Sequence, residues 1–457
     1  MQKEFIISAI AEYIESKEYS KMLENEEYYK GNNPKLERYF STLEMDNHKP
    51  MDIFAKIRVP SGIFNRLITL LVNRLWYNGV QLDDDDMKTS LGENFDYIAK
   101  NMATNAAVHG VCYGFWNYDQ LVMFAAKEYF SLKDERTDID MAGIRFWQIA
   151  PDKPWVIQLF ESDGYTEYTK DDAGNLTLVI DKRAYKQTFR SDILGTEIIG
   201  ENNYIMYPVI ALYANKAKES ELTEPIKKKI DLYDTIMTTF GDQVLRTKAI
   251  YWILEGMSGN EEHLLGVKEA IERLGIIAPN SSNVNAKAET LSLPYEPTMN
   301  YLKWLKNEIF SDAMIMDPSE VTGGSLTNVA INTANHAETM KVSDMEWLCA
   351  RFVEQILTIN GMKSDAILFK HKTVSNDMEI SQRLAMYSDV PIEFKLMLDP
   401  LFPDDIVESI LDAIDEEALG MGENVEDMDK DAENEMNEGD AEIGALLDEL
   451  ATMGAEL

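Results

Sequence analysis

Few residues in this chain are equipped for chemistry, and their spacing decides what each can do. Gly323, Gly324 and Ser325 lie in the run Val321-Thr322-Gly323-Gly324-Ser325-Leu326, ahead of a helical pattern, where glycines and free N–H groups can cradle a phosphate. No strand precedes that run and no lysine follows its glycines, and no Gly-x-x-x-x-Gly-Lys-Ser/Thr sequence occurs anywhere. A hinge loop is the better reading. The histidines His48, His109, His263, His336 and His371 show neither His-Glu-x-x-His nor Cys/His zinc spacing. His109 and Cys112 are neighbours, but a thiol becomes a nucleophile only when the fold sets a base against it, so a partly buried pair is expected. Asp427, Asp429, Asp431 and Glu438 match the first, third, fifth and twelfth positions of a calcium loop. Ala432 stands where that loop needs glycine, and in so acidic a run the match is coincidence. Asp83 to Asp86 read as a solvated loop. Neither an enzyme, nor a bound metal, nor a cofactor is expected.

The elements that place these residues are legible in periodicity. Leu222, Ile226, Ile230, Tyr233, Met237, Phe240 and Val244 recur three or four apart on one face of a helix, which Pro225 sets to begin near Thr223 or Glu224. Met299, Leu302, Leu305 and Ile309 predict a second helix after Pro294 and Pro297. Two such helices framing an insert could form a hairpin-like stem, but on periodicity alone an ordinary helical bundle is the better reading. The insert, Tyr251 to Leu293, reads as a strand over Ile250 to Leu254, a helix from Glu261 to Leu274 and a Ser/Asn-rich turn at Asn280 to Asn285. Beyond the glycine run, Val329 to Ile359 predicts a long helix with Ala330, Ala334, Ala337, Met345, Leu348, Phe352, Ile356 and Ile359 at compatible spacing.

Upstream, residues 1 to 110 read as mainly helical, with breaks at Gly31-Asn32-Asn33-Pro34 and Val59-Pro60-Ser61-Gly62. From Tyr113 to Ala214 the pattern is β: Trp116 to Phe124, Gly143 to Ile149, Trp155 to Phe160, Tyr165 to Thr169 and Leu176 to Ile180, the last two around a turn at Asp171 to Asn175. Downstream, Met378 to Glu417 reads as short helices broken at Pro391, Pro400 and Pro403. Residues 421–457 hold thirteen acidic residues and one basic, Lys430, and are expected to be disordered apart from a short helix on Ile443, Leu446, Leu447 and Leu450. The fold class is α+β, predominantly helical.

Composition narrows the function. The chain of 457 residues is 45% hydrophobic and 10% aromatic, enough for a sizeable core in more than one structural region. Cys112 and Cys349 do not make a disulfide framework, which fits a reducing compartment. Met1 to Tyr19 lacks a signal-peptide layout, and no apolar run is long enough to cross a bilayer, so a soluble protein without membrane partners is expected. The net charge of −37 disfavours gripping nucleic acid through its phosphates. Taken in isolation, it argues against any DNA role.

The order of these segments, and several of their residues, resemble the portal proteins of tailed bacteriophages. The resemblance is carried by Glu27-Tyr28-Tyr29-Lys30-Gly31-Asn32, by Asn65-Arg66 through Leu75-Trp76-Tyr77-Asn78-Gly79-Val80, and by Asn215 with Ile230-Asp231-Leu232-Tyr233-Asp234. Thr327-Asn328-Val329-Ala330 stands where many members have Ser-Gly-Val-Ala, a change that keeps a helix cap and removes a glycine. The resemblance covers roughly residues 20 to 415.

It implies a head-to-tail connector subunit with wing (1–219), stem helix (220–249), clip (250–293), second stem helix (294–316), channel loop (317–328), long wing helix (329–375) and crown (376–420) ahead of the acidic tail (421–457). It further implies a homo-oligomeric ring of about twelve copies at one capsid vertex, through which double-stranded DNA is packaged, retained and ejected without sequence specificity. The implied partners are terminase, head-completion or adaptor proteins, and major capsid and scaffolding proteins. The implied location is the virion, with the host cytoplasm during assembly. Glu320, Val321, Thr322, Gly323, Gly324, Ser325 and Leu326 become the DNA-channel loop, and Lys227, Lys228, Lys303 and Lys306 candidate basic residues of the channel. Those lysines also read as a solvated face or as partners of Asp231 and Asp234. The rival readings are an acidic scaffold or interaction protein of the virion that forms no DNA channel, and a metal-dependent enzyme using the acidic runs.

Overall fold

The computed structural model describes residues 3–39, 57–134, 140–171, 174–192, 195–246, 251–255, 285–289, 295–320 and 328–369. The helices expected at Glu261 to Leu274 and within Met378 to Glu417, and the acidic tail with its calcium-like spacing, lie outside these residues. The described chain forms two units: residues 30–63 with 224–309, and the remainder.

The larger unit begins with α1 (Lys3–Glu15) and α2 (Lys17–Tyr29), followed by α3 (Ile63–Leu75), β1 (Val80–Leu82), the short α4 (Asp85–Ser90) and α5 (Phe95–His109). Gly79 makes the sharp turn between α3 and β1 with φ +72°, and a Cβ there would sit 2.2 Å from the Asp96 carboxylate. That carboxylate accepts the Val80 N–H at 3.3 Å and is paired with Lys88 at 2.7 Å, so the Tyr77-Asn78-Gly79-Val80 turn is tied to α5. Asn65 donates to the Tyr29 carbonyl at 3.0 Å, joining α3 to the end of α2. The acidic run at Asp83 is solvated as expected, Asp83, Asp84 and Asp86 being exposed, but Asp85 and Asp86 open a helix rather than lying in a loop. Asp84 caps α4, and Asp83 accepts from the Ser364 hydroxyl and the Asp365 N–H, bonds that hold its carboxyl below the usual carboxylate range.

Two antiparallel sheets follow. One has the order β11-β2-β3, from β2 (Val111–Asn117), β3 (Gln120–Ala125) and β11 (Val209–Tyr213). The stretch expected to be one strand, Trp116 to Phe124, is the tip of the β2–β3 hairpin. It turns at Tyr118, which adopts φ 57°, and Trp116 donates from its indole to the Tyr118 carbonyl at 2.8 Å. Helix periodicity and strand alternation both missed this turn because Tyr118-Asp119 carries no glycine or proline. The second sheet is a five-stranded meander, β4 (Tyr129–Lys133), β5 (Asp140–Gln148), β6 (Trp155–Glu161), β7 (Gly164–Lys170) and β8 (Leu176–Arg183). α1 lies against it, with Ile6 and Ile10 among Phe130, Ile144, Phe146, Ile157 and Leu159, and with the Tyr13 ring stacked on Phe130 at 4.5 Å. β9 (Lys186–Asp192) and β10 (Gly195–Asn202) form a separate hairpin.

In the smaller unit, α6 (Glu224–Arg246) begins where Pro225 set it. β12 (Tyr251–Glu255) and β13 (Asn285–Glu289) pair antiparallel across the insert, and α7 (Tyr295–Asp312) follows. The two helices run antiparallel and touch at two levels: Lys229 Nζ lies 3.3 Å from the Glu308 carboxylate, and the Phe240 and Tyr295 rings are 6.0 Å apart.

The larger unit resumes with α8 (Asn328–Ile359), whose backbone matches the expected helix from Val329 to Ile359, and ends with β14 (Ile367–Phe369) paired to β1. α8 packs along β11. At Gly114 of β2 a Cβ would meet Phe352 of α8 at 2.8 Å and Met102 of α5 at 2.9 Å, so both helices close on that strand only because it carries glycine there. Among the described residues no helix is long and apolar enough to cross a membrane.

Candidate functional site

Val321 to Leu326 lie outside the described residues, as does the side chain of Glu320; the chain on either side is described. α7 ends through Met314 in the left-handed region, φ 55°, with the Ile315 N–H returning to the Phe310 carbonyl at 3.0 Å and the Met314 N–H to Ser311 at 3.0 Å. A strap of residues, Ala313 to Glu320, then leads to the glycine run and finishes in a 3-10 turn, Pro318–Glu320. Asp317, 5% exposed, caps that turn by accepting the Ser319 N–H at 3.0 Å.

The strap is fastened to α8 at two points by charged side chains bonded to its backbone. Glu338 accepts the Met316 N–H at 3.0 Å, and Lys341 donates to the Ala313 carbonyl at 2.7 Å. Each of these has an opposite charge behind it. Arg74 of α3 reaches Glu338 at 2.8 Å and Thr339 at 3.1 Å, while Glu221, just before α6, reaches Lys341 at 2.5 Å. Asn215 donates to Glu221 at 2.9 Å and brackets Glu219 through its N–H and carbonyl, so the turn that presents Glu221 is itself organised. The side chains of both ion pairs are largely buried.

None of these four charges was singled out by sequence. One signal existed. The buried line on α8 runs Glu338, Val342, Met345, Cys349, Phe352 and Ile356, at steps of four, three, four, three and four, whereas the expected member Ala337 is exposed. A glutamate in phase with that stripe marks a charge the helix must bury.

The expected stripe on α6 needs a similar correction. Leu222, Ile226 and Ile230 are buried, but the buried line continues through Asp234 and Thr238, while Val244 is 43% exposed. Asp234 accepts from the Asn33 amide at 2.8 Å and the Ser61 N–H at 2.9 Å, and Thr238 accepts the Val59 N–H at 3.0 Å. Asn33 in turn caps the helical residues 34–39 through the Lys35 and Leu36 N–H groups. The two sequence breaks near Asn33 and Ser61 are therefore gathered on one helix by one carboxylate. Burial is the largest influence on Asp234 and pushes its carboxyl above the usual range, with its hydrogen bonds acting in the opposite sense.

Of the four candidate channel lysines, Lys228 and Lys303 are exposed, and Lys227 and Lys306 are half-buried. Lys229, between them in sequence, pairs across to Glu308. Asp231 lies 3.1 Å from Lys35, so the acidic residues of this stretch reach the 30–63 segment as well as their own helix. On α7, Met299 is 41% exposed against expectation, and Tyr301 and Trp304 form an exposed pair 5.5 Å apart beside the buried Leu302, Leu305 and Ile309. Cys112 is fully buried against the Phe124 carbonyl and its thiol is pushed up by desolvation; burial likewise pushes Cys349 up to about 12. Both thiols are buried, out of reach of an incoming group. Among the described residues no group of three or more His, Cys, Asp and Glu side chains could hold a metal ion.

A family model described as "Phage portal protein, SPP1 Gp6-like" matches residues 9–360, more than three quarters of the chain. The chain belongs to this phage portal family, which is structural and non-enzymatic. No curated protein matches the sequence. Solved structures that resemble the fold include a chain from the "Neck of empty GTA particle computed with C6 symmetry", at 11% identity and TM-score 0.42, covering 75% of this chain and 91% of that one. Another is from the "Virion of native gene transfer agent (GTA) particle", at 10% identity and TM-score 0.40, covering 75% and 90%. A third is from the "Neck of native GTA particle computed with C12 symmetry", at 10% identity and TM-score 0.40, covering 80% and 99%.

Proposed function

We propose that this chain is the repeating subunit of a cyclic portal ring, set at one vertex of a phage-type capsid, through which double-stranded DNA is packaged, held and ejected. The observation that carries this reading is structural order within a member of the portal family. An antiparallel pair, α6 and α7, frames a β-paired insert and leads directly through a short strap to the glycine run and the long α8. In this reading α6 and α7 are the stem, the insert containing β12 and β13 is the clip that meets terminase and later the adaptor proteins, and the helices and sheets of the larger unit are the wing. Residues 376–420 form the crown. Val321 to Leu326 line the channel, with Lys228 and Lys303 as the exposed candidates for basic girdles in an otherwise acidic wall. A subunit of net charge −37 lowers the depth of any binding well for a sliding duplex, and one subunit type with two different faces closes a ring by head-to-tail contacts.

Two-dimensional class averages of the purified protein, with native mass alongside, test the reading. The expected result is rings with a central hole and about twelvefold symmetry. A monomer at every protein and salt concentration would overturn it in favour of an acidic virion protein without a channel.

A further inference from the structure

Two polar backbone atoms of the strap Ala313 to Glu320, the Ala313 carbonyl and the Met316 N–H, are served by two charged side chains of α8, each backed by an opposite charge from a distant part of the sequence. The Ala313 carbonyl, at the C-terminal end of α7, receives the Lys341 ammonium, as the negative end of a helix favours. The Met316 N–H is received by Glu338. Behind Lys341 stands Glu221, and behind Glu338 stands Arg74. The cluster holds two positive and two negative groups and so adds no net charge to a strongly acidic chain. Side-chain exposures are 11% and 9% for Arg74 and Glu338, and 17% and 11% for Lys341 and Glu221. Ion pairs this buried contribute little more to stability than apolar residues of the same shape would, because desolvation offsets their attraction. What they supply that apolar residues do not is direction: each fits one register of strap against helix and no other.

We propose that Arg74, Glu221, Glu338 and Lys341 form a charge clamp whose task is to fix the register between the strap entering the glycine run and the helix leaving it, making them positioning residues for the channel loop. The proposal rests on the portal reading for the word channel, but the clamp itself rests on bonds within the larger unit. Glu338 fixes the amide of Met316, three residues into the strap, and Lys341, one turn further along α8, fixes the carbonyl of Ala313 where the strap begins. The two staples therefore run in opposite directions along the two segments, as they must if strap and helix lie antiparallel at this level. Slippage by one residue would leave a buried carboxylate facing a carbonyl, which is repulsive, so the clamp selects a single register. Asn215 extends it by holding Glu221 in place.

Site-resolved hydrogen exchange on the full chain tests the clamp in three variants, Glu338→Gln, Glu338→Ala and Lys341→Met, with thermal unfolding to exclude global loss of fold. Glutamine keeps an acceptor for the Met316 N–H, whereas alanine does not. The expected result is that protection at Met316 and across the strap survives in the glutamine variant and falls at least tenfold in the alanine and Lys341→Met variants, while α5 and the five-stranded sheet are unaffected. A second readout uses a nitroxide on Ser325→Cys, which is selective because Cys112 and Cys349 are fully buried. In assembled rings the spread of inter-subunit distances should widen in Glu338→Ala and Lys341→Met and stay narrow in Glu338→Gln. Unchanged strap protection and unchanged distances in all three variants would overturn the clamp. Absence of rings in the parent protein would instead overturn the portal reading, and the exchange experiment would still decide the clamp.

Discussion

Asp234 on α6 and Glu338 on α8 are the same functional group at the same kind of place, a carboxylate in phase with the buried stripe of a long helix, yet each is accommodated differently. Among the described residues Asp234, 1% exposed, is held by neutral donors, the Asn33 amide and the N–H and side chain of Ser61. Glu338, 7% exposed, is held by a backbone N–H and a guanidinium. A carboxylate with neutral donors gathers two chain segments by hydrogen-bond geometry alone, while burial pushes its carboxyl above the usual range. A carboxylate with a guanidinium partner is tied to a counter-ion from another helix. The first arrangement ties down a local break in the chain; the second sets one element against another.

Replacing each by its own amide should separate them. Glu338→Gln keeps the shape and an acceptor but leaves the Arg74 guanidinium buried beside a neutral group, and breaking a buried pair costs about 3–5 kcal/mol. Denaturant unfolding should show a loss at the lower end of that range, since both side chains retain some solvent contact. A loss under about 1 kcal/mol would mean that Arg74 finds water or another partner. Asp234→Asn should cost less, about 1–2 kcal/mol, because one amide N–H₂ then faces a donor while the other bond is kept. Asp234→Ala leaves two buried donors unpaired and should exceed Asp234→Asn by about 1–2 kcal/mol on the same measurement. If the alanine and asparagine variants coincide, the two hydrogen bonds contribute nothing beyond filling space.

The contrast also marks what sequence could and could not reveal. The long helices were legible because repeats of three and four leave a mark whatever the partner: Pro225 fixed the start of α6, and α8 follows its expected span to within one residue. The order of helix pair, insert and glycine run was legible for the same reason, and with Asn65, Gly79 and Asn215 it carried the family resemblance. Asn215 and Gly79 turn out to act through contacts, on Glu221 and Asp96, that no spacing rule encodes. Buried polar residues were misplaced because a hydrophobicity pattern assigns charge to the surface, so Asp234, Thr238 and Glu338 dropped out of stripes they belong to. The clamp joins positions 74, 221, 338 and 341, and a contact across such separations leaves no local signal. The β2–β3 hairpin was missed for a different reason: its turn residue, Tyr118, adopts a left-handed conformation that tyrosine seldom takes, and a hydrogen bond from its N–H to the Tyr204 hydroxyl at 3.0 Å helps hold it there.

The smallest expected effect is in pH dependence, and it sharpens the comparison by sign. Burial raises the Asp234 carboxyl above its ordinary value of 3.8, so the folded state binds that proton more tightly than the unfolded chain does. Its favourable contribution is fully present below 3.8 and is lost as the pH rises through the raised value. Asp83, fully exposed and hydrogen-bonded by Ser364 and Asp365, is shifted the other way; its contribution is present above 3.8 and is lost as the pH falls through the lowered value. Urea unfolding of the parent, Asp234→Asn and Asp83→Asn between pH 3 and pH 7 reads both slopes, within the range where carboxylates titrate. The stability gap between parent and Asp234→Asn should widen in favour of the parent on acidification, whereas the gap to Asp83→Asn should close. A gap for Asp234→Asn that also closes on acidification would mean that Asp234 is stabilised as the anion, its hydrogen-bond donors together outweighing its burial.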